Sequence, residues 1–302
     1  LTADFFAHLR NSKSYRSFRS EMRVEDVLGR LGWKTRHSPD YTDVREEKDR
    51  EIDVTATRSW QRERKNGLHV AHLHLVIECK GIHKETLLMA KLDRPKEADR
   101  LYHHWLGLDD DDLRNAIGTV AKEAGFDAVK LLRRFESLAY PQGRAVVYPL
   151  LVNAPPAPIR ASAIRDAERA AEESLIRKAT LQLYSALNGT VASVRDESLR
   201  QLHDDLQQRE GVDRMDYALE QIQSAATSVY LFHPIVVVDT KLVTVDHEGE
   251  LAIVEWGRLE RSRIASYDRR WLDVVSSEHF EAYAKKLTAW YSRVLGRIAE
   301  PA

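Results

Sequence analysis

Two runs of alternating apolar and polar residues flank a basic segment between Arg50 and Lys80. In the first run Ile52, Val54 and Ala56 alternate with Glu51, Asp53, Thr55 and Thr57. In the second, Ala71, Leu73, Leu75, Ile77 and Cys79 alternate with His72, His74, Val76, Glu78 and Lys80. A period of two marks strands with one buried face, and Asn66-Gly67 between them is a strong hairpin signal. With Asn66-Gly67 as a two-residue loop, Lys65 pairs with Leu68, Thr55 faces Glu78 and Asp53 faces Lys80. Opposed residues project to the same side, so Asp53, Glu78 and Lys80 are expected on one face, with an apolar face behind them. A bulge that slips the pairing preserves this arrangement only if the slip is even.

Before the hairpin, residues 14–32 carry Phe18, Met22, Val24, Val27, Leu28 and Leu31 at helical spacing, and Gly32 stands where a helix-ending glycine would. Glu21 and Glu25 lie one turn apart on it. Trp33 to His37 reads as a short strand, followed by a polar loop, HSPDYTDVREEKD. Residues 84–140 carry helical patterns and are expected as a helical insertion; the acidic run Asp109–Asp112 reads as the solvated start of one such helix. A strand is expected at 144–152, then a long helix from Ser162 to about Leu187, ended by Asn188-Gly189. Further helices are expected at 196–209 and 214–228, and a second hairpin at 233–256, turning at His247–Glu250. Its Asp239-Thr240-Lys241 and Glu255 read as polar ends of central strands, because Ile235–Val238 is apolar on both faces. A strand at 270–275 and a closing helix to about Ile298, with Phe280, Tyr283, Leu287, Trp290 and Val294 as its apolar stripe, complete the chain.

Composition narrows the class. The chain has 302 residues, enough for a sizeable core. No apolar run is long enough to span a bilayer, and LTADFFAHLR lacks the apolar region of a signal peptide, so no membrane role and a cytoplasmic location are expected. Cys79 is the one cysteine, which excludes a disulfide framework and any multi-cysteine zinc site. With 46 basic and 47 acidic residues the net charge is −1, so any nucleic-acid contact must come from a local patch, a partner subunit or a homodimer.

The order of helix, strand, Asp-bearing strand and Glu-x-Lys strand resembles the PD-(D/E)xK, or restriction-endonuclease-like, nuclease superfamily. The resemblance rests on Glu21 in the first helix, Asp53 in REIDV, and Glu78-Cys79-Lys80 in LVIECKG, and covers about residues 14–83. No proline-aspartate pair directly precedes Asp53, and the 84–140 segment exceeds a minimal core. The resemblance implies an α/β fold in which helices flank a mixed central β-sheet. By the same expectation 1–302 is one domain, with 84–140 a helical insertion and 160–302 completing the core.

The resemblance also implies a metal-dependent endonuclease acting on DNA, with RNA as the other candidate polymer, and the superfamily's habits point to restriction or phage defence. Asp53, Glu78 and Glu21 would hold Mg²⁺ or Mn²⁺, with the Ile77 or Cys79 carbonyl as a further donor. Lys80 would act on the attacking water. Lys178 and Gln182 would line the cleft, and Arg62, Arg64 and Lys65 at the hairpin tip would hold phosphates. Glu25 competes with Glu21, and the spacing to Gly32 favours Glu21. The bland counterparts are an ordinary cross-strand ion pair between Asp53 and Lys80, worth about 0.2–1 kcal/mol, and a non-catalytic subunit that keeps the fold. His72, His74 and His83 read as plain strand or loop residues, and Cys79 as an inert core residue.

Overall fold

The computed structural model describes residues 6, 8–10, 12–43, 46–64, 67–82, 85–91, 102–104, 145–153, 175–207, 228–261 and 270–298. Helix α1, Lys13–Arg30, begins at Ser12, whose side chain accepts from the Tyr15 N–H. It ends at Gly32 (φ 79°), where Trp33 N–H reaches Leu28 O and Gly32 N–H reaches Gly29 O. These two bonds satisfy the last carbonyls of the helix and need a residue that tolerates positive φ. Val24, Val27 and Leu28 are buried, but Phe18 and Met22, expected in the apolar stripe, are exposed at 53% and 46%.

The strands follow in chain order: β1 Lys34–His37, β2 Asp40–Asp43, β3 Lys48–Glu51, β4 Val54–Arg64, β5 Gly67–Lys80, β6 Glu85–Lys91, β7 Tyr102–His104 and β8 Ala145–Asn153. Helix α2, Leu175–Gln207, leads to β9 Ser228–Val238, β10 Leu242–Val245, β11 Leu251–Val254, β12 Trp256–Arg261 and β13 Arg270–Ser276. A single 3-10 turn then opens helix α3, Phe280–Ile298. Strands β2 and β3 form a small separate hairpin within the segment expected to be a polar loop. The other eleven strands form one mixed sheet in the order β1-β4-β5-β9-β13-β12-β8-β6-β10-β11, with β7 also paired to β9. The fold is therefore mixed α/β, a central sheet flanked by helices.

The β4–β5 hairpin forms as expected but in another register. Thr55 pairs with Val76, Val54 with Ile77, and Arg64 with Gly67, an offset of two residues from the expected pairing. Lys65 and Asn66, between the paired Arg64 and Gly67, lie outside the described residues. Because the slip is even, every side chain keeps its face. Ala71, Leu73, Leu75, Ile77 and Cys79 join Val24, Val27, Leu28, Phe280 and Leu287 in one core. On the opposite face Val76 packs with Ile176, Ala179 and Leu183 of α2. Strand β9, buried on both faces from Ile235 to Val238, runs parallel to β5 on one side and β13 on the other.

Three other expectations change. Residues 85–91 and 102–104, placed in a helical insertion, are strands; the rest of 84–140 lies outside the described residues. A short apolar run such as ETLLMAK satisfies either period, and pairing with β8 and β10 decides it. The segment 233–256 is not one hairpin: only β10 and β11 pair around the turn at 246–250, while β9 belongs to the sheet centre. Helix α2 does not stop at Asn188-Gly189 and runs on to Gln207, absorbing the described part of 196–209. The helix expected at 214–228 falls outside the described residues, apart from Ser228, which opens β9.

On the core face, a fully buried polar network locks α3 to the sheet. Asp273 accepts from Arg258 Nε (3.0 Å), from Tyr283 OH (2.7 Å) and from His233 Nε2 (2.9 Å), and Tyr291 OH donates to His233 Nδ1 (2.8 Å). Burial pushes His233 down, so it stays neutral and donates. Burial alone would raise Asp273, but Arg258 and His233 hold it well below the usual carboxylate range.

Gly189 has a different purpose from a cap. A Cβ there would lie 2.8 Å from Thr42 O and 2.9 Å from Tyr41 Cδ2, so the residue lets α2 approach the backbone of β2. Gly29, in α1, has nothing within 4 Å of a Cβ. Gly189→Ala is expected to cost about 1–3 kcal/mol through overpacking, and Gly29→Ala to gain about 0.5–1 kcal/mol of helix stability. Urea midpoints of the two variants should move in opposite directions; a shift of the same sign would contradict the close approach.

Candidate active site

The site forms where β4 and β5 part. Pairing ends at Val54↔Ile77, because the chain before Val54 turns away to β3 and Ile52 N–H bonds to Pro39 O. That leaves the β5 edge from Glu78 to Lys80 without a strand on the β4 side. Asp53, at the break, fills part of the gap: its Oδ2 accepts the Cys79 N–H at 2.6 Å. Its own carbonyl takes the N–H of Ser38, a residue at positive φ (47°). From α1, Ser17 Oγ donates to the Cys79 carbonyl at 2.9 Å. On the other edge, Asp239 N–H bonds to Lys80 O (3.1 Å), continuing β9 past the strand end.

Glu78 is 1% exposed. Its Oε1 is in ion-pair contact with Lys80 Nζ, and its Oε2 is buried with no hydrogen-bond partner among the described residues. Burial, followed by the charge of Asp53, pushes its pKa up to about 7, against the lowering effect of Lys80. Burial also raises Asp53, against the Cys79 hydrogen bond and Lys80. Burial opposes the charge on Lys80, but the adjacent Glu78 outweighs it and raises that ammonium above its ordinary value. Glu21 is raised by burial and by Asp53. Its Oε2 lies 3.4 Å from His37 Nε2, whose Nδ1 lies 3.2 Å from Glu25 Oε2. Glu25 also accepts from Thr35, at 3.5 Å. Glu21 is thus the α1 carboxylate whose charge reaches Asp53 and Glu78, and Glu25 sits one step outside, across the His37 ring.

The remaining expected residues are more dispersed. Gln182 and Lys178 lie on α2, which covers the sheet face carrying Glu78 and Lys80. The Gln182 carbonyl accepts from Tyr41 OH at 3.4 Å, and Lys178 is exposed. Among the described residues neither side chain bonds to Asp53, Glu78 or Lys80. Arg62 and Arg64 lie at the far end of β4, about 35 Å along the hairpin from Glu78, and Lys65 lies outside the described residues. His72 stacks on Tyr230 (4.7 Å between ring centroids) and His74 on Phe232 (5.1 Å), as sheet residues. Cys79 is fully buried in the core, and His83 lies outside the described residues.

Asp239 pairs with Arg16 of α1 at 2.5 Å and with Ser277 Oγ at 3.4 Å, while Lys241 is exposed, so Asp239-Thr240-Lys241 is not a second acid–lysine set. Ser17, Arg16 and His37 were not singled out from sequence as site neighbours. Ser17 stands one turn before Glu21, the spacing that puts two helical residues on one face.

Among the described residues no group of three or more His, Cys, Asp or Glu side chains stands in metal-holding geometry. The available donor set is smaller: the Asp53 and Glu78 carboxylates and the Cys79 carbonyl, all hard oxygens. That set suits Mg²⁺ or Mn²⁺, which take one or two protein carboxylates and keep several waters. The unpartnered Glu78 Oε2 fits such an ion, because a buried carboxylate oxygen without a donor is costly unless a cation compensates it. No protein-family model, no curated protein and no solved structure matches this chain.

The raised pKa of Glu78 means that the folded chain holds this proton more tightly than the unfolded chain does. Its stabilising contribution is complete below the ordinary value of 4.5 and is lost as pH rises through about 7. The contribution of Lys80, whose pKa is raised above 10.5, is intact throughout that window. In metal-free protein Glu78→Gln is therefore expected to stabilise by about 1–3 kcal/mol near pH 8 and to change little near pH 5. Urea unfolding at the two pH values measures this, and a pH-independent effect would contradict the burial of the charge.

Proposed function

We propose that the chain is a metal-dependent phosphodiesterase with a restriction-endonuclease-like core, hydrolysing DNA. The observation that carries this reading is Glu78: a buried carboxylate with one oxygen on Lys80 and the other without a hydrogen-bond partner among the described residues, beside a second carboxylate fixed by a backbone N–H. A purely structural ion pair would satisfy both oxygens or stand in solvent.

In this reading Asp53, Glu78 and the Cys79 carbonyl hold a divalent ion, with Glu21 toward a metal-bound water. The ion would lower the pKa of a bound water and offset charge on the phosphate. The rest is the work of this chain's side chains. On the open edge of β5 the Cys79 N–H fixes the Asp53 carboxylate, and Ser17 holds the Cys79 carbonyl. Lys80 stays protonated because Glu78 raises its pKa, so its ammonium can orient the attacking water and stabilise negative charge on the phosphate oxygens. His37 holds the outer oxygen of Glu21 and keeps that carboxylate at the rim. The helix α2 covers the sheet beneath the site and limits water there.

Purified protein with Mg²⁺ or Mn²⁺ is expected to cleave plasmid or linear DNA and to stop on addition of EDTA. Asp53→Ala, Glu78→Ala and Lys80→Ala should each lower the rate by about a thousandfold or more. Independently of activity, Mn²⁺ should raise the melting temperature of wild type and not of Glu78→Gln. Absence of cleavage on DNA and RNA with either ion, together with no Mn²⁺-dependent stabilisation, would support the alternative of a non-catalytic subunit.

A further inference from the structure

The sheet ends at β11, whose outer edge is unpaired among the described residues. Leu251 and Ile253 there are 64% and 73% exposed, the two most exposed of the large apolar side chains. They lie across from Val245 and Val243 of β10, and Val243 lies beside Leu88 of β6. All three of these neighbours are only half-buried, so one apolar face continues over three strands. The opposite face, with Leu242 and Val254, packs into the core.

The backbone is available at the same residues. Asp246 N–H bonds to Glu250 O at 3.2 Å, which makes that opposed pair a hydrogen-bonded one. Bonded and non-bonded pairs alternate along an antiparallel ladder, so Ala252 and Val254 bond inward to β10. Leu251 and Ile253 therefore direct their N–H and C=O groups outward along the free edge. Charge selects the occupant. From Lys241 to Glu255 the segment carries Asp246, Glu248, Glu250 and Glu255 against the single Lys241. A second copy of the chain would bring the same acidic rim against this one at strand spacing, which is unfavourable.

We propose that β11 is a strand-addition site for a partner protein's extended segment, apolar at alternate positions and flanked by lysine or arginine. The main chain of Leu251 and Ile253 would hold such a segment, their side chains would cover its apolar positions, and the acidic rim would select its flanks. This inference is independent of the phosphodiesterase reading.

The test uses the full chain and a fluorescent peptide, Lys-Lys-Val-Thr-Val-Thr-Val-Lys-Lys, followed by anisotropy. Saturable binding is expected, weakened about tenfold or more by Ile253→Lys and by raising salt from about 50 to about 500 mM. Hydrogen exchange at the Leu251 and Ile253 amides should slow when the peptide is present. Ile253→Lys alters an exposed side chain, and an unchanged melting temperature would establish that it folds. The proposal is overturned if the peptide binds Ile253→Lys as well as wild type, or if a glutamate-flanked peptide binds equally. It is also overturned if sedimentation shows self-association that Ile253→Lys abolishes while the peptide fails to bind.

Discussion

The hydrogen bond from the Cys79 N–H to Asp53 Oδ2 closes the gap left where β4 releases β5, and the candidate site depends on that one join. Up to Val54↔Ile77 the hairpin is an unbroken antiparallel ladder. Two residues further the ladder would have used the Ile52 backbone, opposite Cys79. Instead the chain bends toward Pro39, and the Asp53 side chain takes the bond that a strand would have supplied. A carboxylate is thereby fixed at the strand edge beside Glu78, its charge favoured by the backbone amide first and by Lys80 second. Ser17 treats the Cys79 carbonyl in the same way from α1. Two backbone groups of one residue thus fix both neighbours of the site, and the rigidity comes from the sheet and not from a loop.

Burial supplies the chemistry. Helix α2 covers the sheet face beneath Glu78, and burial drives the carboxylate toward its neutral form against the compensating charge of Lys80. The same enclosure appears in the Asp273 network, with the opposite result. There Arg258, Tyr283 and His233 all donate to one carboxylate, which stays ionised. The contrast between these two buried acids separates a satisfied structural carboxylate from one arranged to receive something.

Much of the site could be read from the sequence, because strand alternation fixes faces without fixing register. Asp53, Glu78 and Lys80 share a side under the expected pairing and under the observed one, since the two differ by an even step. The spacing to Gly32 favoured Glu21 over Glu25 without deciding between them, and Gly32 has the positive φ expected at the end of α1. Asn188-Gly189 misled because a glycine serves equally to end a helix and to let one approach a neighbouring backbone, and only the contact with Tyr41 and Thr42 distinguishes the two. The ETLLMAK run misled because its apolar residues fit both periods, and its partners in β8 and β10 lie far away in the chain. His37 and Asp239 were legible as strand ends, but their contacts with α1 were not, because no local pattern encodes a tertiary partner.

The central claim is that Asp53 and Glu78 form a divalent-cation site and not merely an ion-paired strand end. The most direct measurement is anomalous diffraction from crystals soaked in Mn²⁺. The account predicts a peak between the Asp53 and Glu78 carboxylates, with the Glu78 Oε2 now coordinated. No peak at saturating Mn²⁺, with the Glu78–Lys80 contact unchanged, would contradict it.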